Sequence, residues 1–407
     1  MTVPGRVLVV GAGLVGTSVG LGLRPGGTDV LLADASPTVA AVAADLGAGR
    51  LPAGGVHLGS GSGTDDGTDL DGPPGPVREG DEPDLVVVAA PPDVTAGLVV
   101  RALRRYPRAV VTDVASTKEG VVRRVLAAAG EDAARYVGGH PMAGRERSGP
   151  MAARGDLFVG RPWVLTPVPG TSPEAVDLVR TTAGRLGAVV VELDPASHDE
   201  AVALVSHLPQ VAASLVAARL VGAPGQAVGL AGQGLRDVTR IAASDPVLWA
   251  QILAGNAVPL ARQLRLLRED LDRALAALEA VAAAGAPGLP GASDPAASGG
   301  PAGSPTGAPV GALARLVAEG NAGRATVPGK HGDAPAVWAT VPVLVPDRPG
   351  ALASLIGTIG EVGVNIEDLR IEHSPGRLTG VTEVAVLPAE RDRLVRELRE
   401  RGWSVPD

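Results

Sequence analysis

"RVLVVGAGLVGTSVGLGL", residues 6–23, decides the fold. It opens as a short aliphatic run of the kind that makes a buried strand, turns on glycines and continues as a helix of small residues. Inside it, GAGLVG at 11–16 places G-x-G-x-x-G between the strand and the helix. Gly11 permits the tight turn, Gly13 lets the backbone approach a pyrophosphate, and Gly16 lets the helix pack closely on the strand. Free N–H groups at the helix start favour an anion there. Alone the hexapeptide is a weak signal, but here both flanking elements are present. Asp34 ends the next strand, 18 residues past Gly16. A carboxylate there accepts from a ribose 2′-hydroxyl and repels a 2′-phosphate, which favours NAD as cofactor. NADP stays open, because a basic residue could reach in from elsewhere.

Outward from this stretch, strand-like runs at 28–36, 84–92 and 109–116 alternate with helical ones. The alternation predicts an α/β fold with a Rossmann-type, doubly wound parallel sheet over residues 1–170. Residues 49–82 are too rich in Gly, Pro and Asp to bury a core and read as a flexible insertion. From 172 the texture becomes helical: Ser172 is a natural N-cap and Pro173 a natural first helical residue. Residues 171–284 are expected to form an all-helical substrate and dimerisation domain, whose long apolar helices suggest a homodimer. A Pro/Gly/Ser/Ala tract opens a mostly flexible linker at 285–335, with a short helix over 311–320. Residues 336–407 read as strand, turn, helix, strand, strand and helix, a small tethered α+β module.

Composition bounds the function. The chain has 407 residues, enough for two or three domains, and 45% hydrophobic content with only 2% aromatics. Its cores must therefore be built from Val, Leu and Ala. A net charge of −8 without a basic tract argues against nucleic acid as a partner. With no cysteine there is no disulfide, thiolate metal site or cysteine nucleophile, and no metal site is expected. No signal region and no uninterrupted apolar run of roughly 20 residues is visible, so no membrane is expected and the location is read as cytoplasmic. Almost every basic residue is Arg, against which Lys118 stands out.

The candidate chemistry lies in "VGGHPMAGRERSG", 137–149. His140 sits between a glycine pair and a proline, as on a stiff loop. Ser116, at the carboxyl edge of a preceding strand, lies where doubly wound folds bind ligands. A serine hydroxyl can orient a neutral imidazole, and an imidazole with a pKa near 6.5 can take a hydroxyl proton as hydride leaves carbon.

DVASTK (113–118), GGHPMAGRERSG, SHLPQ (206–210) and GLRDVTRIAASDPVLW (234–249), in this order, resemble the prephenate/arogenate dehydrogenases of tyrosine biosynthesis. The resemblance spans the Rossmann and helical domains. It implies NAD-dependent oxidative decarboxylation of a cyclohexadienol that carries a ring carboxylate. It makes His140 the base on the ring hydroxyl and Ser116 the residue that positions His140 and the nicotinamide. Arg240 would grip a substrate carboxylate, with Asp237 one turn earlier to orient it, and His207 and Trp249 would lie near the substrate. Gln210 departs from the family's second histidine; a neutral amide accepts from an ammonium, which favours arogenate or dual specificity.

Plainer readings compete. His207 could be a hydrogen-bonded core histidine, Trp249 dimer packing, and Arg145 and Arg147 ordinary loop charges. Lys118 is expected to cap its helix or to touch cofactor or substrate. His57, His198 and His331 are read as solvated, without a role. "VPVLVPDRPGALASLIGTIGEVGVNIEDLRIEH" resembles an ACT domain, which suggests a tyrosine effector bound at the DRPGAL turn, with a ligand-free dimerisation module as the rival. A β-hydroxyacid dehydrogenase reading needs a lysine within the helical part, and 172–284 contain none. A non-enzymatic sensor on the same fold would have no need to keep Ser116, His140 and Arg240 together.

Overall fold

The computed structural model describes residues 3–52, 82–144, 149–284, 307–327, 338–373 and 379–406. Most of the 49–82 insertion, much of the 285–335 linker, and His57, Arg145, Arg147 and His331 lie outside them. The chain divides into two units, 1–266 and 267–407.

The first unit is built on a seven-stranded sheet of order β2-β1-β3-β4-β5-β6-β7. Its strands are β1 (Arg6–Val10), β2 (Asp29–Ala33), β3 (Leu85–Val88), β4 (Val110–Asp113), β5 (Tyr136–Pro141), β6 (Pro162–Thr166) and β7 (Val189–Glu192). The first five are parallel, as expected for a doubly wound sheet. β6 then pairs antiparallel with β5, and β7 runs parallel to β6. The sheet therefore extends past residue 170, the boundary expected from sequence, to residue 192. Gly187, at a φ of 77°, ends the helix before it, but the run VVVE is too short to show a period of its own.

Alternation along β1 explains the two layers. Val7 and Val9 face a core shared with α1 (Leu14–Leu23), α2 (Pro37–Asp45) and α5 (Pro173–Arg185). Leu8 and Val10 face the opposite core, with α3 (Pro92–Arg105) and α4 (Glu119–Ala129). A strand covered on both faces reads as a continuous aliphatic run, and this one does. The chain crosses to opposite sides of β1 after β1 and β2, so the ends of β1 and β3 form a switch point where a crevice opens.

Beyond β7 come α6 (Pro195–Val202), one π-helical turn over Ala203–His207, α7 (Leu208–Ala218), α8 (Gly225–Gly229), α9 (Gln233–Arg240), α10 (Pro246–Gly255) and α11 (Ala257–Ala283). Four helices start with the same two-residue device, an oxygen-bearing N-cap followed by proline: Ser36-Pro37, Ser172-Pro173, Asp194-Pro195 and Asp245-Pro246. The cap oxygen accepts an orphan N–H, and proline supplies helical φ without needing a partner for its nitrogen. Residues 195–218 make one continuous helix long and apolar enough to span a membrane by length and composition. Its buried face carries His198, Asp199, His207 and Gln210, so it serves a polar site.

The second unit contains α12 (Gly307–Ala325), longer than the 311–320 expected, and a small α+β module. In the module β8 (Ala339–Pro346), β9 (Asp368–His373) and β10 (Thr379–Val386) form an antiparallel sheet of order β8-β10-β9. Helices α13 (Ala351–Val362) and α14 (Pro388–Glu400) cover one face of it, around Val341, Val343, Leu355, Ile359, Val384 and Leu394.

Candidate active site

A cleft of about 2220 Å³ in the first unit runs from the glycine turn to the helices. Its wall includes Gly11, Gly13, Asp34, Ser116, His140, His207, Arg240 and Trp249. Of the expected site residues, Gly16, Gln210 and Asp237 do not line it.

The glycine turn fits a dinucleotide. A β-carbon on Gly11 would collide with the backbone of Ala89, and one on Gly16 with the carbonyl of Gly11. Gly11 also has a φ of 100°, which disfavours any other residue. Gly13 caps α1 and has open space above it, as a closely approaching phosphate requires. Asp34 is held by the N–H groups of Ala12 at 2.7 Å and Ser36 at 2.8 Å, so its carboxylate is fixed at the end of β2. Arg101 on α3 also lines the cleft; its Nε is buried without a partner among the described residues, and burial lowers its pKa.

His140 lies within β5, paired with Val164, rather than on a loop. The glycines before it serve packing: a β-carbon on Gly139 would press on the Asp113 carbonyl and Thr112, and one on Gly138 on Thr166. Lys118 is wholly buried and neither caps its helix through its side chain nor touches the cleft. Its Nζ pairs with Asp113 and donates to the carbonyl of Gly139 at 2.7 Å, tying down the residue before His140. Asp113 also accepts from Tyr136 Oη at 2.6 Å and Ala115 N at 2.8 Å. Burial lowers the Lys118 pKa against the opposing pull of Asp113, and raises that of Tyr136.

His198, read from sequence as solvated, is fully buried and is the partner of the central histidine. Its Nε2 lies 2.8 Å from His140 Nδ1, and its Nδ1 lies 2.8 Å from Asp199 Oδ1. Asp199 in turn accepts from the N–H groups of Lys118 at 2.7 Å and Glu119 at 2.9 Å, capping α4. A carboxylate only accepts, so His198 donates from Nδ1. In the neutral pair, His198 Nε2 then accepts from His140 Nδ1, which leaves the lone pair of His140 on Nε2, toward the cleft. Burial, followed by the nearby His198, Lys118 and His207, holds the His140 pKa well below its ordinary value. His198 thus holds His140 from behind, and Ser116 lines the wall of the cleft.

His207 ends the π-helical turn. Pro209 has no N–H to give to Val205, and the N–H of Leu208 reaches back five residues to Ala203 instead. The widened turn carries His207 into the wall, with Trp249 edge-on at 6.1 Å between ring centroids. Burial lowers the His207 pKa to about 4. Arg240 lines the cleft at the end of α9, and the Asp237 carboxylate accepts from Gln233 Nε2 at 2.9 Å. Gln210 is buried behind the wall: Ser244, which does line the cleft, donates to its Oε1 at 3.4 Å. Gln210, expected to meet the substrate, therefore does not line the cleft, and Ser244 stands at the wall in front of it.

Models of the prephenate dehydrogenase nucleotide-binding domain and dimerization domain match residues 70–192 and 194–284, a junction at the end of β7. The chain is 35% identical over 400 residues to the probable prephenate dehydrogenase NovF of Streptomyces niveus, covering 98% of each. It is 38% identical over 157 residues to the prephenate dehydrogenase of Bacillus subtilis, covering 36% of this chain and 40% of that one. It also resembles the crystal structure of prephenate dehydrogenase from A. aeolicus in complex with hydroxyphenyl propionate and NAD+. The TM-score there is 0.57 at 27% identity, covering 68% of this chain and 92% of that one. With two family domains matched in order and a relative similar along nearly its whole length, the chain belongs to the prephenate dehydrogenase family.

Proposed function

We propose that the protein catalyses NAD-dependent oxidative decarboxylation of prephenate or arogenate in tyrosine biosynthesis, as a cytoplasmic homodimer. The observation that carries this reading is the His140–His198–Asp199 chain, which leaves a base with a free Nε2 in the cleft that holds the glycine turn and Arg240.

The residues divide the work. Arg240 offers a planar, permanently charged fork to a substrate carboxylate. His140 Nε2 takes the proton of the ring hydroxyl, and His198 with Asp199 steadies the charge that forms. Bound NAD+ supplies the acceptor for the hydride leaving the hydroxyl-bearing carbon. Loss of CO2 then sends the carbon–carbon bonding pair into the ring, which becomes aromatic. The proton on His140 returns to the phenolate oxygen, so the imidazole ends as it began.

The test is the initial rate of NADH formation with prephenate and with arogenate, using NADP+ as control. Activity with either substrate supports the reading; none with either removes it. Because Ser244 stands between Gln210 and the cleft, the preference between the two substrates is left to this measurement. We further infer that the C-terminal module, whose Gly350 (φ 84°) precedes α13, binds tyrosine as an effector.

A further inference from the structure

Asn256, between α10 and α11, is buried beside the two histidine arms of the site. Its Nδ2 lies 2.7 Å from the carbonyl oxygen of Asp199 and 3.0 Å from Nδ1 of His207. A carbonyl oxygen only accepts, so the amide must present its nitrogen there, which settles its orientation. The second hydrogen of that nitrogen is then directed at His207. His207 Nδ1 is consequently the acceptor, and the neutral ring carries its proton on Nε2. Protonating Nδ1 would set two N–H groups against each other.

We propose that Asn256 is a positioning residue that locks His207 as a neutral Nε2–H donor, so that the substrate group meeting His207 is an oxygen acceptor and not an ammonium. This rests on the proposed reaction, in which the substrate carries carboxylate and carbonyl or hydroxyl oxygens. Three observations support it. His207 lines the same cleft as Arg240 and His140. Trp249 packs edge-on against the ring, restricting its rotation. Asn256 also grips the backbone of Asp199, whose carboxylate holds His198, so one amide ties the donor arm to the base arm. For arogenate, the ammonium must then lie away from His207.

The test begins with the wild-type protein labelled with ¹⁵N-histidine, the His207 signals being assigned by their loss in His207→Gln. At neutral pH, His207 is expected in the Nε2–H form. Asn256→Leu should give mixed tautomers, and Asn256→Asp, which sets an acceptor against Nδ1, should give the Nδ1–H form. In both variants kcat/KM for the cyclohexadienol should fall about 10- to 100-fold, chiefly through its KM, with the KM for NAD+ unchanged as a sign of intact folding. A wild-type His207 protonated on Nδ1 overturns the proposal, whatever the variants do. So does an Asn256→Leu protein with unaltered substrate KM. The tautomer is read without turnover, so an enzyme inactive on both substrates would remove the proposed reaction while the wild-type spectrum still decided the role of Asn256.

Discussion

At the scale of single residues, His140 carries the heaviest demand. His140→Asn should lower kcat by about 10²–10⁴-fold, the scale of a lost general base, read as NADH formation at saturating substrate. His198→Phe removes the acceptor at Nδ1 and lets the proton settle on Nε2. It should cost on the order of 10²-fold in kcat, with the KM for NAD+ unchanged. The pH behaviour follows from burial. His140 stays neutral, and hence a base, to well below pH 6.5, so the acid limb of kcat/KM should lie below the ordinary histidine range. Folding stability shares this sign: between pH 6.5 and about 4 the unfolded chain takes up a proton at His207 that the folded chain refuses. Stability should fall through that window as pH falls, by about 3 kcal/mol from His207, measurable by urea denaturation across pH. His140 was legible in the sequence because glycine and proline frame it. His198 and Asn256 were not, because their work is a contact with residues 58 and 49 positions away. The sole local hint was a His-Asp pair just inside a helix that begins Asp-Pro.

At the scale of elements, the glycine turn was readable from its spacing between a strand and a helix, although the backbone that Gly11 must clear, at Ala89, lies far along the chain. β7 was not: a four-residue aliphatic run carries no period long enough to tell strand from helix end. Nor was the π-helical turn, although Pro209 in SHLPQ was the cue that an α-helical bond is missing there. Helix starts give a clean prediction. Asp245 accepts from Val247 N at 2.8 Å and Leu248 N at 3.1 Å, and α10 carries Trp249 into the wall. Asp245→Ala should cost about 0.5–2 kcal/mol, seen as a lowered Tm, and should raise the substrate KM before kcat. Lys118→Met would strand the Asp113 carboxylate in a dry core and should cost about 3–5 kcal/mol in denaturant unfolding.

At the scale of the whole molecule, the doubly wound sheet, the helical region and the small C-terminal module were visible as changes of texture along the chain. The sheet continues past the boundary expected at 170 because α5, which looks like the helices after it, packs on the sheet. Leu215, Val247 and Val258 on helices, and Val221 and Leu230 in the turns after α7 and α8, are exposed in the first unit. Apolar side chains of this number call for a second copy, in keeping with the dimerization-domain match. Leu215→Glu combined with Val258→Glu should shift the protein from dimer to monomer in sedimentation. If the C-terminal module senses tyrosine, added tyrosine should slow the full chain and leave a chain ending at 284 unaffected; equal inhibition of both would dismiss the sensor. The buried lysine has a practical consequence as well. In a chain whose cations are otherwise nearly all guanidinium, Lys118 is an amine that an acylating reagent reaches only when β4 and β5 part. Its modification, read by peptide mass, would time the opening of the catalytic edge of the sheet, turning a structural counter-ion into a built-in clock.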